Sequence, residues 1–336
     1  MSWDDRLISK EELGTAAREL RDNYSIQTEA LIRQQTENWP MLRDAIVALA
    51  EIKHKEFSVK GTTALAQFNP ARIVSTSANV DATTINQRPC FLCVNNLPPE
   101  EKGIAFGRRL IILCNPFPVL RNHLVITSRD HAPQAIEGNF AVMLDLARAL
   151  GEEWFVLYNG PRCGASAPDH LHFQACARAD VPLFDDFGDM LRRDSEDISE
   201  TTRFGYRINL YAFGSAAQRE TIDRFEQAME YLKKVTYSDG EPLMNLIVTY
   251  QSGKWTVFLL PRGKHRPACY YAEGDVKLTV SPAAIDLAGV MVVPQPEHFE
   301  RITAEDLERI YAEVTLDDML FMKWLALLNE GDGERQ

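Results

Sequence analysis

The sequence predicts an α+β protein in which two related halves, each an antiparallel sheet flanked by helices, follow an N-terminal helical segment. Its 336 residues are enough for two domains. Short apolar runs of strand length alternate with amphipathic helices through most of the chain. The N-terminal segment instead carries apolar residues at helical spacing. We therefore divide the chain into a helical segment (1–60), a first half (61–200) and a second half (201–336).

The N-terminal segment is predicted to be helical from about residue 11 to residue 55, with a break at Pro40. Apolar residues at roughly helical spacing support this prediction. They are Leu31, Met41, Leu42, Ile46, Leu49 and Ile52. The helical spacing of apolar residues ends before Lys60 and Gly61. The stretch 68–76 then predicts a turn followed by a short strand.

The first half alternates strands with one long helix. The helix is predicted over residues 138–150, because its apolar side chains share one face. The predicted strands share a short apolar run bounded by turn residues. They cover residues 109–113, 123–127, 154–158 and 170–176.

The second half shows the same alternation of strands and helices. Helices are predicted over residues 219–234 and 304–314, a hairpin over 243–260 with its turn at 251–253, and a strand over 289–293. The run 122–127 leads through a turn to His131, and the run 288–293 leads through a turn to His298. This parallel suggests an internal duplication, with chance similarity as the alternative.

Composition and charge exclude several classes of protein. Hydrophobic residues make up 45% of the chain and charged residues 25%, which argues against disorder. The net charge of -12 gives no long-range attraction to nucleic acid or anionic membrane. No apolar run approaches the roughly 20 residues that span a bilayer. The charged N-terminus lacks the pattern of a secretion signal, so a cytoplasmic protein is expected.

The six cysteines do not predict a disulfide framework in a chain of this length. Four of them lie among apolar or small residues and are expected to be buried. These are Cys114, Cys163, Cys176 and Cys269. Cys90 and Cys93 differ, because a C-x-x-C loop supplies half of a typical zinc site. His131 and His170 are the best candidates for the other ligands. A closed Cys2His2 set would hold structural zinc, whereas a redox pair or two ordinary thiols are the alternatives.

The segment 164–174 is the most informative part of the sequence. A loop of small residues, which can bring backbone N–H groups close to an anion, leads into a predicted strand. Because side chains alternate along a strand, His170, His172 and Gln174 are expected on one face. A phosphate held by the loop would then lie beside His172. The alternative is that the two histidines are only a polar stripe.

This arrangement suits nucleophilic attack on phosphorus. A neutral imidazole at His172 can displace a leaving group and form a covalent intermediate. The Gln174 amide, the Ser166 hydroxyl and loop N–H groups would stabilise charge on the phosphoryl oxygens. Gln174 cannot donate a proton as a general acid, which favours transfer to a phosphate over hydrolysis.

A basic cluster follows a predicted strand in the second half of the chain. Arg262, Lys264 and His265 could bind an acceptor phosphate or lie in a solvated turn. Charged residues in loops are more commonly solvated.

Together these residues resemble the branch of the histidine-triad (HIT-like) superfamily that contains galactose-1-phosphate uridylyltransferases, diadenosine tetraphosphate phosphorylases and GDP-hexose phosphorylases. The resemblance extends from about residue 68 to residue 314. It implies that His172 is the nucleophile of an H-x-H-x-Q motif and that Gln174 contacts the nucleotidyl phosphate. The second half contains no such motif, so catalysis is expected in residues 61–200 only.

The resemblance also implies the remaining site residues. Those implied or expected to bind substrate are Asn115 and Phe117 near the nucleoside, Arg72 near the phosphates, and Asn159, Gly164 and Ser166 around the small-residue loop. The implied zinc ligands are Cys90, Cys93, His131 and His170. Asp169 is a departure, because it places a negative charge near the expected phosphate.

The implied activity is that of a nucleotidyltransferase or phosphorylase working through nucleotidyl-His172. Its donor would be a nucleotide sugar or a dinucleoside polyphosphate, and its acceptor phosphate or a sugar phosphate. A homodimer is consistent with the family, and neither nucleic acid nor membrane is expected as a partner. The alternatives are a nucleotide hydrolase of the same superfamily and a non-catalytic, zinc-stabilised nucleotide-binding protein.

Overall fold

Two sheets organise the computed structural model, which describes residues 2–9, 11–14, 23–77, 82–194, 200–203 and 206–333. The strands of the described residues share an extended backbone and ladder pairing. They are β1 (Lys53–Val59), β2 (Thr62–Phe68), β3 (Gly103–Phe106), β4 (Leu110–Cys114), β5 (Leu124–Ser128), β6 (Trp154–Asn159), β7 (His172–Ala177), β8 (Glu200–Arg203), β9 (Leu210–Ser215), β10 (Met244–Gln251), β11 (Lys254–Pro261) and β12 (Val290–Val293).

The larger sheet has nine strands in the order β3-β4-β5-β7-β6-β10-β11-β9-β8, and all neighbours are antiparallel. Strands β6 and β10 join the first half of the chain to the second. The smaller sheet has the order β1-β2-β12, with β12 parallel to β2. These sheets and their flanking helices confirm the predicted α+β class.

Helices of the described residues cover the sheets. They are α1 (Tyr24–Asn38), α2 (Pro40–Ala50), α3 (Ile73–Thr76), α4 (Ala82–Gln87), α5 (Phe140–Leu150), α6 (Pro182–Asp194), α7 (Gln218–Thr236), α8 (Ala268–Tyr271), α9 (Ala284–Leu287), α10 (Pro296–Arg301), α11 (Ala304–Val314) and α12 (Asp318–Gly333). Within the described ranges, no helix combines the length and apolar character that crossing a bilayer requires.

The N-terminal segment is less helical than predicted. The break at Pro40 is confirmed, because this proline is the first residue of α2 and has no N–H to donate. The predicted helix to residue 55 is wrong at its end, where β1 begins at Lys53 and pairs with β2. Part of the predicted helix, residues 15–22, lies outside the described residues.

The strand predicted near residue 76 is also wrong. The turn after Phe68 is a single 3-10 turn, Pro70–Arg72, followed by α3. Pro70 favours this outcome because its fixed φ is already close to the helical value. The change matters because it places Arg72 at the end of the 3-10 turn, directly before α3, rather than on a sheet.

Strands β4, β5 and β6 and the hairpin β10–β11 confirm the predicted elements within one or two residues. The hairpin turns at Ser252 and Gly253, which both have positive φ, as a two-residue turn between twisted strands requires. Strand β7 begins at His172, so the prediction that His170 lies on this strand is wrong. His170 instead ends a turn, in which its N–H donates to the carbonyl of Ala167.

The two runs compared as a duplication are not equivalent. The first forms β5, between β4 and β7 in the antiparallel sheet. The second forms β12, which pairs in parallel with β2 in the smaller sheet. These two runs therefore do not support an internal duplication, and the relation between the two halves stays a prediction.

Apolar side chains fill both faces of the larger sheet. Helices α5 and α7 cover one face, where the rings of Phe140 and Phe225 stack at 3.8 Å between centroids. The smaller sheet, with α9 and α11, covers the other face. Strand β6 is thus buried on both sides, which gives the site described next a rigid base.

Candidate active site

His172 lies at the start of β7 and is 5% exposed. Its Nδ1 lies 2.8 Å from the carbonyl oxygen of His170. Because a carbonyl only accepts, this contact places the proton on Nδ1 and leaves a lone pair on Nε2. Burial also lowers the pKa of His172 to about 4. The side chain is therefore a neutral imidazole with a nucleophilic Nε2.

Gln134 fixes the backbone of His172. Its Oε1 accepts from the His172 N–H at 2.8 Å, and its Nε2 donates to the carbonyls of His172 and Asn159 at 3.0 and 2.9 Å. One buried amide therefore ties the start of β7 to the end of β6. Sequence reasoning missed Gln134, because it lies 38 residues before His172 and belongs to no local pattern.

His123 fixes the orientation of the Gln174 amide. The N–H of Val119 donates to His123 Nδ1 at 3.1 Å, so the proton of this neutral imidazole is on Nε2. That Nε2–H donates to Gln174 Oε1 at 2.7 Å. Burial, with the charge of Arg72, lowers the pKa of His123 to about 3 and keeps it in this state. The Gln174 NH2 group is therefore the end left to donate elsewhere.

A cleft of about 720 Å³, counted to its open mouth, lies beside this strand. It brings together five of the predicted residues, which come from four separate parts of the first half. They are Arg72, Asn159, Gly164, Ser166 and Gln174. The opposite wall comes from the second half of the chain. Its residues include His265, Arg266, Ser281, Ala283, Ile285, Asp286 and Val292.

Gly164 is required by the backbone of the small-residue loop. Its φ is +96°, a conformation that disfavours every residue with a Cβ. A Cβ placed there would also lie 2.6 Å from the Cβ of Ala283. The loop therefore packs directly against the wall contributed by the second half.

Asn159 ends β6 at the same junction. Its Oδ1 accepts from Asn245 Nδ2 at 2.8 Å and from the N–H of Ala284 at 3.0 Å. Asn245 Oδ1 in turn accepts from Arg262 at 2.6 Å. This buried network connects the two halves behind the cleft.

Only Lys264 of the basic cluster after β11 lies in solvent. Arg262 is 1% exposed and donates to five acceptors, four of them backbone carbonyls. Lys264 pairs with Glu313 at 3.3 Å and does not line the cleft. Of the three residues, His265 alone lines the cleft, and the next residue, Arg266, joins it there.

The segment near Asn115 lies at a second cavity of about 1710 Å³, counted to its open mouth. Helices α1 and α2, the β1–β2 hairpin and the loop after β4 form its walls, and apolar surface predominates. Asn115 lines this cavity, and Val119 and His123 line both cavities. The Phe117 side chain is 41% exposed and lines neither of them. Its carbonyl instead accepts from Arg72 at 2.8 Å.

Cys90, Cys93, His131 and His170 converge on one point, with their ligand atoms all within 4.8 Å of one another. Cys90 Sγ lies 3.3 Å from His170 Nδ1, and Cys93 Sγ lies 3.3 Å from His131 Nδ1. The set could hold a tetrahedral metal ion with no open position.

The surroundings of this cluster suit a metal. His170 Nε2 lies 2.9 Å from the carbonyl oxygen of Ser128, so its proton is on Nε2 and its Nδ1 lone pair faces the thiols. Asp169 does not act as a free charge near the loop, because it pairs with Arg88 at 3.1 Å. Arg88 also donates to the carbonyl of Ser166 at 3.0 Å and so ties the cluster to the small-residue loop.

Comparison with known protein families divides the chain in two. Residues 31–177 match a family described as a domain of unknown function, DUF4922. Residues 195–331 match a family described as GDPGP1-like, C-terminal domain. GDP-L-galactose phosphorylase 2 of Arabidopsis thaliana is 26% identical over 226 residues, which are 63% of this chain and 49% of that protein. The chain thus spans about half the length of this curated relative.

Solved structures show the same fold. The crystal structure of yeast Ap4A phosphorylase Apa2 superposes with a TM-score of 0.57 at 14% identity, over 83% of this chain and 97% of that one. The same enzyme in complex with Ap4A superposes with a TM-score of 0.56 at 14% identity, over 83% and 97% of the two chains. The fold is therefore HIT-like, as the resemblance implied.

Proposed function

We propose, from the place of this chain in the HIT-like phosphorylase branch, that it is a nucleotidyl-transferring phosphorylase whose covalent intermediate forms on His172. The carrying observation is the buried, neutral His172, whose Nε2 lone pair is on the same face of β7 as Gln174. The names of the relatives support a nucleoside diphosphate hexose or a dinucleoside polyphosphate as donor. They support phosphate as acceptor, because phosphorylases use it.

The reaction has two displacements. In the first, His172 Nε2 forms a bond to the α-phosphorus of the donor, and the bond to the leaving phosphate oxygen breaks. In the second, an oxygen of the acceptor phosphate attacks the same phosphorus, and the P–N bond returns its electron pair to Nε2. Neither leaving group needs a proton from the enzyme, which agrees with an amide at Gln174 rather than an acid.

We assign stabilisation of the transition state to hydrogen-bond donors whose orientation is fixed by the fold before substrate binds. The Gln174 NH2 group is the free donor of an amide whose oxygen is held by His123. The loop at Gly164 lines the cleft and presents a backbone with positive φ, as anion-binding loops do. Donors that are oriented in advance stabilise charge as it develops, without the cost of reorganisation.

We assign the nucleoside to the second cavity. Its largely apolar lining suits a base and a ribose. Asn115 lines it, and its shared residues, Val119 and His123, place it next to the cleft. The N-terminal helices α1 and α2 would then form part of the nucleoside pocket. For Phe117 the proposed contribution is its backbone, which holds Arg72 at the cleft.

We assign the Cys2His2 cluster to structural zinc. Two thiolates and two imidazoles with no open position are the usual donor set of such a site. When bound, zinc supplies a rigid tetrahedral link among three loops. The chain's own contribution to catalysis is the carbonyl of His170, which sets the tautomer of His172.

Intact-protein mass spectrometry tests the proposal. The protein is incubated briefly, without acceptor, with UDP-glucose, UDP-galactose, GDP-glucose, ADP-glucose or diadenosine tetraphosphate. The expected result is an acid-labile adduct of one nucleoside monophosphate, which is lost in His172→Ala. His298→Asn is the matched control, because this buried histidine lies outside both cavities.

The same assay separates the alternatives. If an adduct forms but phosphate neither accelerates turnover nor enters the product, the protein is a hydrolase. If His172→Ala keeps full turnover, the covalent mechanism is wrong. If nucleotides bind equally to wild type and His172→Ala and neither reacts, the protein is a non-catalytic nucleotide-binding protein.

A further inference from the structure

We propose that Arg266 binds the acceptor, and that with Arg72 it forms a subsite for an inorganic phosphate dianion in the cleft that Gln174 also lines. This inference rests on the proposed function, because it identifies the second substrate and the residue that selects it over water. The sequence pattern pointed to Arg262, Lys264 and His265, but not to Arg266.

Arg266 is held in the cleft in a defined orientation. Its Nε donates to Ser281 Oγ at 2.9 Å, and its Nη2 donates to the carbonyl of Thr76 at 3.0 Å. Its guanidinium also lies 4.2 Å from the centre of the Tyr270 ring. Thr76 belongs to α3 in the first half, whereas Ser281 belongs to the second half. The guanidinium therefore sits where the two walls of the cleft meet, with little rotational freedom to lose on binding.

The charge of the cleft favours an anion. Among the described residues that line it, the permanent cations are Arg72 and Arg266, and the only carboxylate is Asp286. The oxygens of Asp286 already accept from the N–H groups of Ala283 and Val292, both at 2.9 Å. Burial and the nearby arginines lower the pKa of His265 to about 4, so it adds no charge at neutral pH.

The described residues that line the cleft include two arginines and one carboxylate, whereas the whole chain has a net charge of -12. A dianion gains from this local field, whereas water does not. Arginine also suits phosphate because its charge is permanent and its hydrogen bonds to phosphate oxygens are charge-assisted.

The neighbouring cations cannot take this role. The Arg262 guanidinium donates to five protein oxygens in the interior, and this residue does not line the cleft. Lys264 pairs with Glu313 on the outside. Arg266 is thus the cation that the second half contributes to the cleft.

In the second displacement, Arg266 would hold phosphate with one oxygen directed at the phosphorus on His172. The new P–O bond forms as the P–Nε2 bond breaks, and the product is a nucleoside diphosphate. Without bound phosphate, water attacks the same phosphorus and the product is a nucleoside monophosphate. Arg266 therefore determines the ratio of these two products.

Calorimetric titration with inorganic phosphate alone tests the subsite without any turnover. Arg266→Gln should weaken phosphate binding by about 10- to 100-fold, the effect of losing a charge-assisted hydrogen bond. Lys264→Gln is the matched control, because it removes the same charge two residues away and should bind like wild type. If the wild type binds no phosphate, or if Arg266→Gln binds it as tightly as Lys264→Gln does, the proposal is overturned.

Kinetics provides the second test. In Arg266→Gln, the KM for phosphate should rise by about 10- to 100-fold, while adduct formation without acceptor stays within a few-fold of wild type. The product should shift toward nucleoside monophosphate, and Arg266→Lys should restore part of the phosphate dependence. An equal loss in adduct formation and phosphate dependence, with a lower melting temperature, would mean that Arg266 only ties the walls together and would overturn the proposal.

These two tests separate failure of the subsite from failure of the proposed function. If the wild type forms no adduct, the proposed function fails, and the phosphate titration still decides whether Arg266 binds phosphate.

Discussion

Single backbone contacts determine the chemistry of two histidines in this protein. The His170 carbonyl places the proton of His172 on Nδ1, and the Val119 N–H places the proton of His123 on Nε2. The first tautomer leaves a lone pair on Nε2 of His172, and the second orients the amide of Gln174 through its oxygen. Both rings are buried, so water does not compete for these contacts.

We expect Gln174→Glu to lower kcat by about 100- to 1000-fold, the usual effect of removing one transition-state donor. The new side chain has the same shape, but it can only accept hydrogen bonds and it carries a negative charge toward the phosphate. Steady-state kinetics with the donor identified by mass spectrometry measures the loss. A variant that keeps more than half of the wild-type kcat would show that Gln174 does not contact the phosphate.

At the scale of secondary-structure elements, the site depends on β7, which is paired with a strand on each side. Strand β7 lies between β5 and β6, and Gln134 bridges its start to β6. The small-residue loop is held from two sides, by Arg88 at Ser166 and by the contact of Gly164 with Ala283. Small displacements of this loop are therefore opposed by packing rather than by the loop's own stiffness.

Gly164→Ala should reduce activity far more than it reduces stability. Both Gly164 and Gly138 have positive φ, so alanine at either position costs about 1 kcal/mol of backbone strain. At Gly164 the Cβ would also meet Ala283, whereas at Gly138 nothing lies within 4 Å. We expect at least a tenfold loss of kcat in Gly164→Ala and none in Gly138→Ala. Equal activity in the two variants would show that the loop position is unimportant.

The Cys2His2 cluster should bind one zinc ion per chain. Removing zinc with a chelator, or replacing Cys90 with serine, should lower the melting temperature, because three loops lose their common link. Metal analysis with thermal unfolding measures both effects. Cys269→Ser is the control, because this cysteine lies outside the cluster and should leave the zinc content unchanged. A wild type purified and tested with zinc that binds none would contradict the assignment.

At the scale of the whole molecule, the two halves form one structure. The nine-stranded sheet runs from one half into the other through β6 and β10, and β12 of the second half completes the sheet begun by β1 and β2. Behind the cleft, Arg262 joins Asn245 and the loop at Pro282. The second half therefore acts as one wall of the site, although it has no catalytic motif of its own.

The free energy of unfolding should depend on pH through the titration of Glu101. Burial raises its pKa from 4.5 to about 8, with Arg6 acting in the opposite direction. Between these two values the folded state keeps a proton that the unfolded state has lost, so the free energy of unfolding should fall as pH rises from about 4.5 to about 8. Glu101→Gln should flatten this part of the profile. Urea unfolding at pH 5 to 8.5 compares the two proteins, and parallel profiles would contradict the prediction.

The sequence by itself determined the α+β class and most strands of the first half, and it predicted a site at the H-x-H-x-Q motif and the four cysteine and histidine residues that cluster in the structure. These features are local, because strand periodicity and motif spacing are set by neighbouring residues. The structure brings the cluster residues together, and Gly164, Ser166 and Gln174 line one cleft, whereas the buried His172 is not among the residues that line it.

Only the tertiary structure decided what surrounds those residues. Gln134 contacts His172, His123 contacts Gln174 and Arg266 lines the cleft, although these residues are distant in sequence from the motif or belong to no motif. The burial of Arg262 and the pairing of β12 with β2 have the same origin. Hydrogen-bond partners and burial depend on which elements pack together, and that information is distributed over the whole chain rather than carried by any one stretch of it.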